Sequence, residues 1–257
     1  METGHVVLHI PHGSVLIPPE DRKGILLNDA ELFHELCVKT DAFTGELFLD
    51  AEFPVRVVAP VSRLVCDVER FRDDKNEPGA KRGEGAVYIR TYGGKPLRAY
   101  NADERERILR AYYDPHHRRL AEAVETALKR YGRCTIVDCH SFHSKRPIRL
   151  KCLFKRPDIC IGTDSFHTPG SLRDTMLEAA RKEGMYARTN TPYSGSITPI
   201  AHYRRDGRVK SVMVEVNRRL YMDELTMQKN GGFERMREVC RALLRAAAMW
   251  EEAPHRK

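Results

Sequence analysis

The chain has 257 residues, 41% of them hydrophobic with a single tryptophan, enough for a sizeable core in one large α/β unit or two small ones. Lys and Arg number 44 against 36 Asp and Glu, a formal charge of +8. The signs are interleaved, as in Asp103-Glu104-Arg105-Glu106-Arg107, and no basic stripe alternates with aromatics, so a basic nucleic-acid-binding module is the weaker account of that excess.

No run approaches the roughly 20 apolar residues of a membrane span, and no basic segment followed by an apolar stretch opens the chain. We therefore expect no membrane partner. The 7 cysteines are odd in number and include no Cys-x-x-Cys pair, which suits free thiols in a reducing compartment and a cytoplasmic protein.

In chain order, Val6–Ile10 reads as a first, central strand. Pro11-His12-Gly13-Ser14 ends its pairing and exposes His12. A helix is expected from Asp29, with Leu32, Phe33, Leu36 and then Phe43, Leu47, Phe48 on its apolar face and Asp41 inside it. Val55–Val58 is the next strand, and Arg63 and Arg70 then bracket a stretch in which Asp67 and Glu69 alternate with apolar residues. A guanidinium is suited to gripping a carboxylate through two parallel hydrogen bonds, and ordinary pairing with Asp67 or Glu69 is the competing account for either arginine.

Residues 72–98 form a long polar excursion with one strand-like piece, Ala86-Val87-Tyr88-Ile89, expected to be a pocket wall. Asn101 with Glu104 three residues on is a capping pattern. It opens a long helix with Ile108, Leu109, Tyr112, Leu120, Val124 and Leu128 on one face, and Pro115-His116-His117 predicts a kink or a break there.

Cys134–Val137 is β-branched and bounded upstream by Gly132, as in a strand buried on both faces. It should deliver His140 just past its end, with Asp138 behind it to orient the ring. Arg149–Phe154 and Pro157–Gly162 are strand-like, and Ser171 is the expected N-cap of a helix to Lys182. Asn190–Ser196 is turn chemistry carrying hydroxyls, suited to a substrate loop. Ser211–Leu220 is the last strong strand, interrupted by Glu215, and a helix from Phe233 to Trp250 closes the chain. A buried carboxylate is costly unless it is paired, hydrogen-bonded or beside a metal.

If the central strands are parallel, His12, His140 and Glu215 gather at one edge of the sheet. Two histidines and a carboxylate suit zinc with one position left to water. Zinc lowers the pKa of its water to about 7 and polarises a carbonyl, which are the needs of amide hydrolysis. Glu215 would then be general base and proton carrier. Asp41 is the chosen third ligand, with Glu20 as the alternative. A cysteine-nucleophile amidase using Cys139 with His140 or His143 is disfavoured, because neighbours on a strand point to opposite faces.

The segments His9-Ile10-Pro11-His12-Gly13, Ser62–Arg70, Asp138-Cys139-His140-Ser141-Phe142 and Glu215–Glu224 resemble, in that order, the N-formylglutamate amidohydrolase family. Tyr113-Asp114-Pro115-His116-His117 and Asn190–Gly195 look like its intermediate motifs, so the likeness spans about residues 5–225. The resemblance implies a zinc-carboxypeptidase-like (phosphorylase/hydrolase-like) three-layer αβα fold with a mixed, mostly parallel central sheet. Residues 1–257 would then be a single amidohydrolase domain.

It also implies one zinc ion per chain and hydrolysis of N-formyl-L-glutamate to formate and glutamate at the end of histidine breakdown. The partner would be a small anionic substrate, with no nucleic acid. By position, His12 and His140 match metal ligands and Glu215 the catalytic glutamate. Arg63 and Arg70 would hold substrate carboxylates, Arg63 with a catalytic part as well, and His117, Asn190, Tyr193 and Gly195 would line the substrate.

Two departures stand out. The wider fold takes its third ligand three residues after the first histidine, where this chain has Val15, so that role passes to Asp41. The family usually has Asn before Arg70, where this chain has Glu69; its charge opposes an anionic substrate and widens the expected range to acyl derivatives of other amino acids. Oligomeric state is not legible.

Overall fold

The computed structural model describes residues 3–145 and 156–251. The strand expected over Arg149–Phe154 lies outside the described residues. The chain runs β1 (Val6–Ile10), α1 (Pro19–Arg22), α2 (Asp29–Lys39), α3 (Thr44–Leu47), β2 (Arg56–Val58), α4 (Ala102–Ile108), α5 (Asp114–Tyr131) and β3 (Cys134–Phe142). It continues through β4 (Ile159–Gly162), α6 (Gly170–Lys182), β5 (Ala187–Thr189), β6 (Val209–Asn217), β7 (Met222–Asp223), β8 (Gln228–Lys229) and α7 (Phe233–Met249).

Six strands form one sheet in the order β2-β1-β3-β6-β4-β5. β2, β1, β3 and β6 run parallel, β4 is antiparallel to β6, and β5 is parallel to β4. The central strands are thus parallel, as the helices between them in the chain allow.

On one face Leu8, Ile10, Val137, Cys139, Val212, Val214 and Val216 pack against α6 and α7, including Leu172, Met176, Leu243 and Leu244. On the other, Val7, Ile136 and Val209 pack against Leu120, Val124 and Leu128 of α5. Helices therefore cover both faces, and each buried Val or Leu contributes roughly 1.5–3 kcal/mol. Only the amino-terminal half of the second face is apolar. Beyond it the same face carries His9, Asp138, His140 and Glu215.

Local departures from the sequence pattern matter for that polar half. α2 opens on a capping box between Asn28 and Glu31 but stops at Lys39, because Thr40 is extended at ψ 135° and Phe43 is left-handed at φ 65°. Asp41 is therefore in a break between helices and not inside one, and its N–H donates to the His12 carbonyl at 2.9 Å. β3 runs on to Phe142, paired with β6 throughout, so His140 sits within the strand and not past its end.

The helix divides here into two, as the proline pattern predicts: a π turn over Leu109–Tyr113 joins α4 to α5, and Pro115 takes a first-turn position in α5 where its missing N–H costs little. Ser171 lies inside α6, behind Pro169, and accepts from Trp250 Nε1 at 3.2 Å instead of capping. In the 72–98 excursion Ala86–Ile89 forms no strand, and a 3₁₀ turn at Pro78–Arg82 and a bridge between Arg90 and Pro96 are the regular pieces.

Candidate active site

Strand register assembles the centre. His9 lies beside Asp138, and His140 beside Glu215, so their side chains leave the same face of adjacent strands. His12, carried past the end of β1, brings its ring to 5.1 Å from that of His140, centre to centre. Imidazoles this close can share one ion. Asp41 joins them from the break after α2, and Asp67 and Glu69 from the loop that follows β2.

Carboxylates hold both rings. His12 Nε2 is 2.8 Å from Asp67 Oδ1. Asp67 also accepts from Arg63 at 2.7 Å and from the Tyr88 hydroxyl at 2.5 Å. His12 Nδ1 is buried without a hydrogen-bond partner. It faces Asp41 Oδ2 at 3.7 Å and Glu69 Oε2 at 3.8 Å.

His140 Nδ1 is 3.0 Å from Asp41 Oδ2, while its Nε2 is 3.0 Å from Asp138 Oδ1 and 3.2 Å from Glu69 Oε1. Asp41 Oδ1 is occupied by Arg218 Nη2 at 2.8 Å. Arg218 Nη1 donates in turn to the Cys37 and Val38 carbonyls at 3.2 and 3.0 Å, tying the end of α2 to the centre.

Ionisation follows from these pairings. Burial opposes charge on Asp67, but Arg63 and His12 outweigh it and hold the carboxyl well below the usual range. Asp41 is lowered likewise: burial is outweighed by the facing imidazoles of His12 and His140 and by the charge of Arg218. Glu215 goes the other way. Burial pushes it up to about 8; Asp41 and Glu69 add to the rise, while His140 and Arg218 oppose it. Its Oε2 is buried with no hydrogen-bond partner. Behind the centre, His9 bridges Asp138 (Nδ1, 2.7 Å) and His116 (Nε2, 2.8 Å), and burial drives His116 down to about 2.

The centre opens on a cavity of about 1230 Å³. Of the residues singled out in the sequence, His12, Asp41, Arg63, Arg70, His140, Tyr193 and Glu215 line it, and the 72–98 excursion adds Arg82, Glu84 and Tyr92. Arg63 is committed to Asp67, the pairing that competed with substrate binding. Arg70 is held more loosely, 3.5 Å from Asp67 and 3.6 Å from Glu77, with its Nε unbonded.

Other candidates serve the scaffold. Glu20 is exposed on α1, away from the cavity lining. His117 gives Nε2 to the Val68 carbonyl at 2.7 Å, and its ring lies 4.2 Å from that of Tyr113. Asn190, at φ 51°, bonds Thr163 through both side-chain atoms, and Gly195, at φ 99°, donates its N–H to the Thr163 carbonyl at 3.2 Å. These three stand outside the cavity wall, although Asn190 and Gly195 share a loop with Tyr193 and Ser194, which are in it.

Cys139 faces the apolar side of β3, opposite to the side that carries His140, and burial raises its thiol far above the ordinary value. The sequence reading missed His9, Tyr88 and Arg218 as parts of the centre. His9 had a signal: two residues before the strand turns, it shares a face with the residues that end up polar.

Among the described residues, two groups have ligand atoms all within 4.8 Å of one another: His12–Glu69–His140 and His9–Glu69–Asp138. Imidazole and carboxylate donors of this kind hold divalent first-row metals. The unpartnered, buried Nδ1 of His12 fits such an ion, because a lone pair directed at carboxylates is otherwise an unfavourable arrangement. No helix among the described residues is long and apolar enough to cross a membrane.

A mostly parallel sheet with titratable groups converging at the carboxyl ends of its strands is the arrangement in which α/β enzymes place their active sites. The family described as N-formylglutamate amidohydrolase matches residues 4–222, and the chain belongs to that family. The N-formylglutamate deformylase of Pseudomonas aeruginosa is 29% identical over 203 residues, 76% of this chain and 75% of that one.

Among solved structures, the N-formylglutamate amidohydrolase of Ralstonia eutropha superposes with a TM-score of 0.83 at 23% identity, over 95% of this chain and 92% of that chain. A gene product of Agrobacterium tumefaciens does so with 0.67 at 21%, over 96% and 90%. At those identities the structural likeness speaks for the fold.

Proposed function

We propose that this protein is a zinc-dependent amidohydrolase, a single catalytic domain in the cytoplasm. It would cleave the amide of N-formyl-L-glutamate, or of a related N-acyl amino acid, to formate or another acid and the free amino acid. The observation that carries the metal half is the paired orientation of two imidazoles. His12 Nε2 and His140 Nε2 each meet a carboxylate, Asp67 and Asp138, and both Nδ1 atoms face Asp41 Oδ2. A histidine that donates one ring N–H to a carboxylate presents its other nitrogen to metal. His12, Asp41 and His140 would hold the ion.

When bound there, zinc supplies an acidified water and a polarised carbonyl. Glu215 moves the proton: its free oxygen accepts one from the attacking water and returns it to the departing amine nitrogen. Burial favours the step in which this carboxyl holds a proton. Arg63, fixed by Asp67, steadies charge that develops on the amide oxygen, while Arg70, more loosely held on the cavity wall, receives a substrate carboxylate. Tyr193 is part of the cavity wall that faces the substrate. The name of the Pseudomonas relative supports the substrate class; a place at the end of histidine breakdown is what the family resemblance implies.

The test is a formate-release screen over N-formyl amino acids with metal content measured alongside. Zinc-loaded protein should release formate from N-formyl-L-glutamate or a near relative, lose that activity to chelator and regain it with zinc. Zinc-loaded protein that releases no formate from any of them, or chelated protein that stays fully active, overturns the proposal.

A further inference from the structure

The carboxylates of this centre divide into two kinds. Asp41 pairs with Arg218, and Asp67 with Arg63, both through fixed guanidinium charges. Glu69 and Asp138 have no such partner among the described residues. The cationic groups within 4 Å of them are imidazoles alone: His9, His12 and His140 for Glu69, and His9 and His140 for Asp138. Two carboxylates this close, one of them buried, are costly without a compensating charge.

We propose that His9, Asp138 and Glu69 form a second divalent-cation site beside the first, so that the centre binds two ions; this rests on the metal reading above. His9 Nδ1 lies 2.7 Å from Asp138 Oδ1 and 3.8 Å from Glu69 Oε1, and the ligand atoms of all three fall within 4.8 Å of one another. One imidazole nitrogen and two carboxylate oxygens suit zinc, cobalt or manganese.

His9 Nδ1 can offer a lone pair when the ring proton sits on Nε2, and His116 Nε2, 2.8 Å away, is placed to accept that proton in a hydrogen bond. His140 stands between the two sites: Nδ1 turns to Asp41, and Nε2–H to the Asp138 and Glu69 oxygens. Glu69 lines the cavity and is 22% exposed, whereas His9 and Asp138 lie behind it, so an ion enters past Glu69. The second ion would also cancel the negative charge of Glu69 beside Arg70, removing the repulsion that this residue offers an anionic substrate.

Chelated whole protein is dialysed against zinc at rising free concentration, and bound metal per chain is counted by mass spectrometry. Wild type should saturate at two ions, and His9→Gln, Glu69→Gln and His12→Ala at one each. Saturation of wild type at one ion overturns the second site and leaves the first standing. Two ions retained in both His9→Gln and Glu69→Gln overturn it too. No bound zinc at all overturns the metal reading itself. If His9→Gln fails to fold, as thermal melting of the apo-protein would reveal, Glu69→Gln on the cavity wall decides alone.

Discussion

The two faces of the central sheet use the same strands for opposite ends. Towards α6 and α7, β3 presents Val137 and Cys139 and β6 presents Val212, Val214 and Val216, an apolar surface over the middle of the strands. Towards the cavity, the intervening residues are Asp138 and His140 on β3 and Glu215 on β6, all buried and charged or polar. Because side chains alternate along a strand, one face can hold the structure together while the other tolerates a costly concentration of acids and imidazoles. Stability and chemistry are thus separated by one residue of register. A slip of one would exchange them.

This division can be tested by perturbing each face in turn. The largest effect is expected from removing the metal: chelation or His140→Ala should take amide hydrolysis to background, with zinc content falling in parallel, and turnover that persists without bound zinc would break the assignment. Next comes Glu215→Gln, motivated by its free oxygen beside the histidines. It should lower kcat by roughly 10²–10⁴-fold while zinc content stays at the wild-type value.

Arg70→Ala comes third. Loss of a charge-assisted bond worth about 1.5–3 kcal/mol should raise KM for the anionic substrate by roughly 10–100-fold and spare kcat. A fall in kcat alone in steady-state kinetics would take Arg70 off the substrate carboxylate.

The opposite face should respond in stability and not in rate. Leu243→Ala, in the α7 core, should cost about 2–5 kcal/mol in denaturant unfolding yet leave turnover per folded molecule unchanged well below the transition. Smallest of all, Cys139→Ala should leave turnover intact, since its thiol points away from the cavity. Loss of activity there, with folding preserved, would bring back the thiol nucleophile.

The parts legible in the sequence are those written in local patterns. Alternation and apolar runs announce β1, β3 and β6, and the punctuating His12, His140 and Glu215 then mark one edge of the sheet. The helix break that carries Asp41 is hidden in the sequence, because the apolar spacing from Leu32 to Phe48 runs straight through a helix end. What ends the helix is an extended Thr40, followed by a backbone bond from Asp41 to the distant His12 carbonyl, which no local pattern carries.

β3 looked shorter than it is because Asp138 and His140 interrupt its apolar run, while pairing with β6 carries the strand on to Phe142. The contacts between His9 and His116 and between Tyr88 and Asp67 join segments far apart in the chain, and are visible only in the folded molecule.

The π turn at Leu109–Tyr113 has a consequence for the timing of the long helical rod. Where it begins, Ile108 and Leu109 nest among Val65, Val68 and Ala86; after it, Leu120 and Val124 must meet the sheet. The wider turn works as a phasing insert that lets one rod serve two neighbours whose directions disagree. The wider turn absorbs one extra residue, so deleting exposed Arg110 should restore ordinary winding and leave everything downstream, His116 against His9 included, in its present phase.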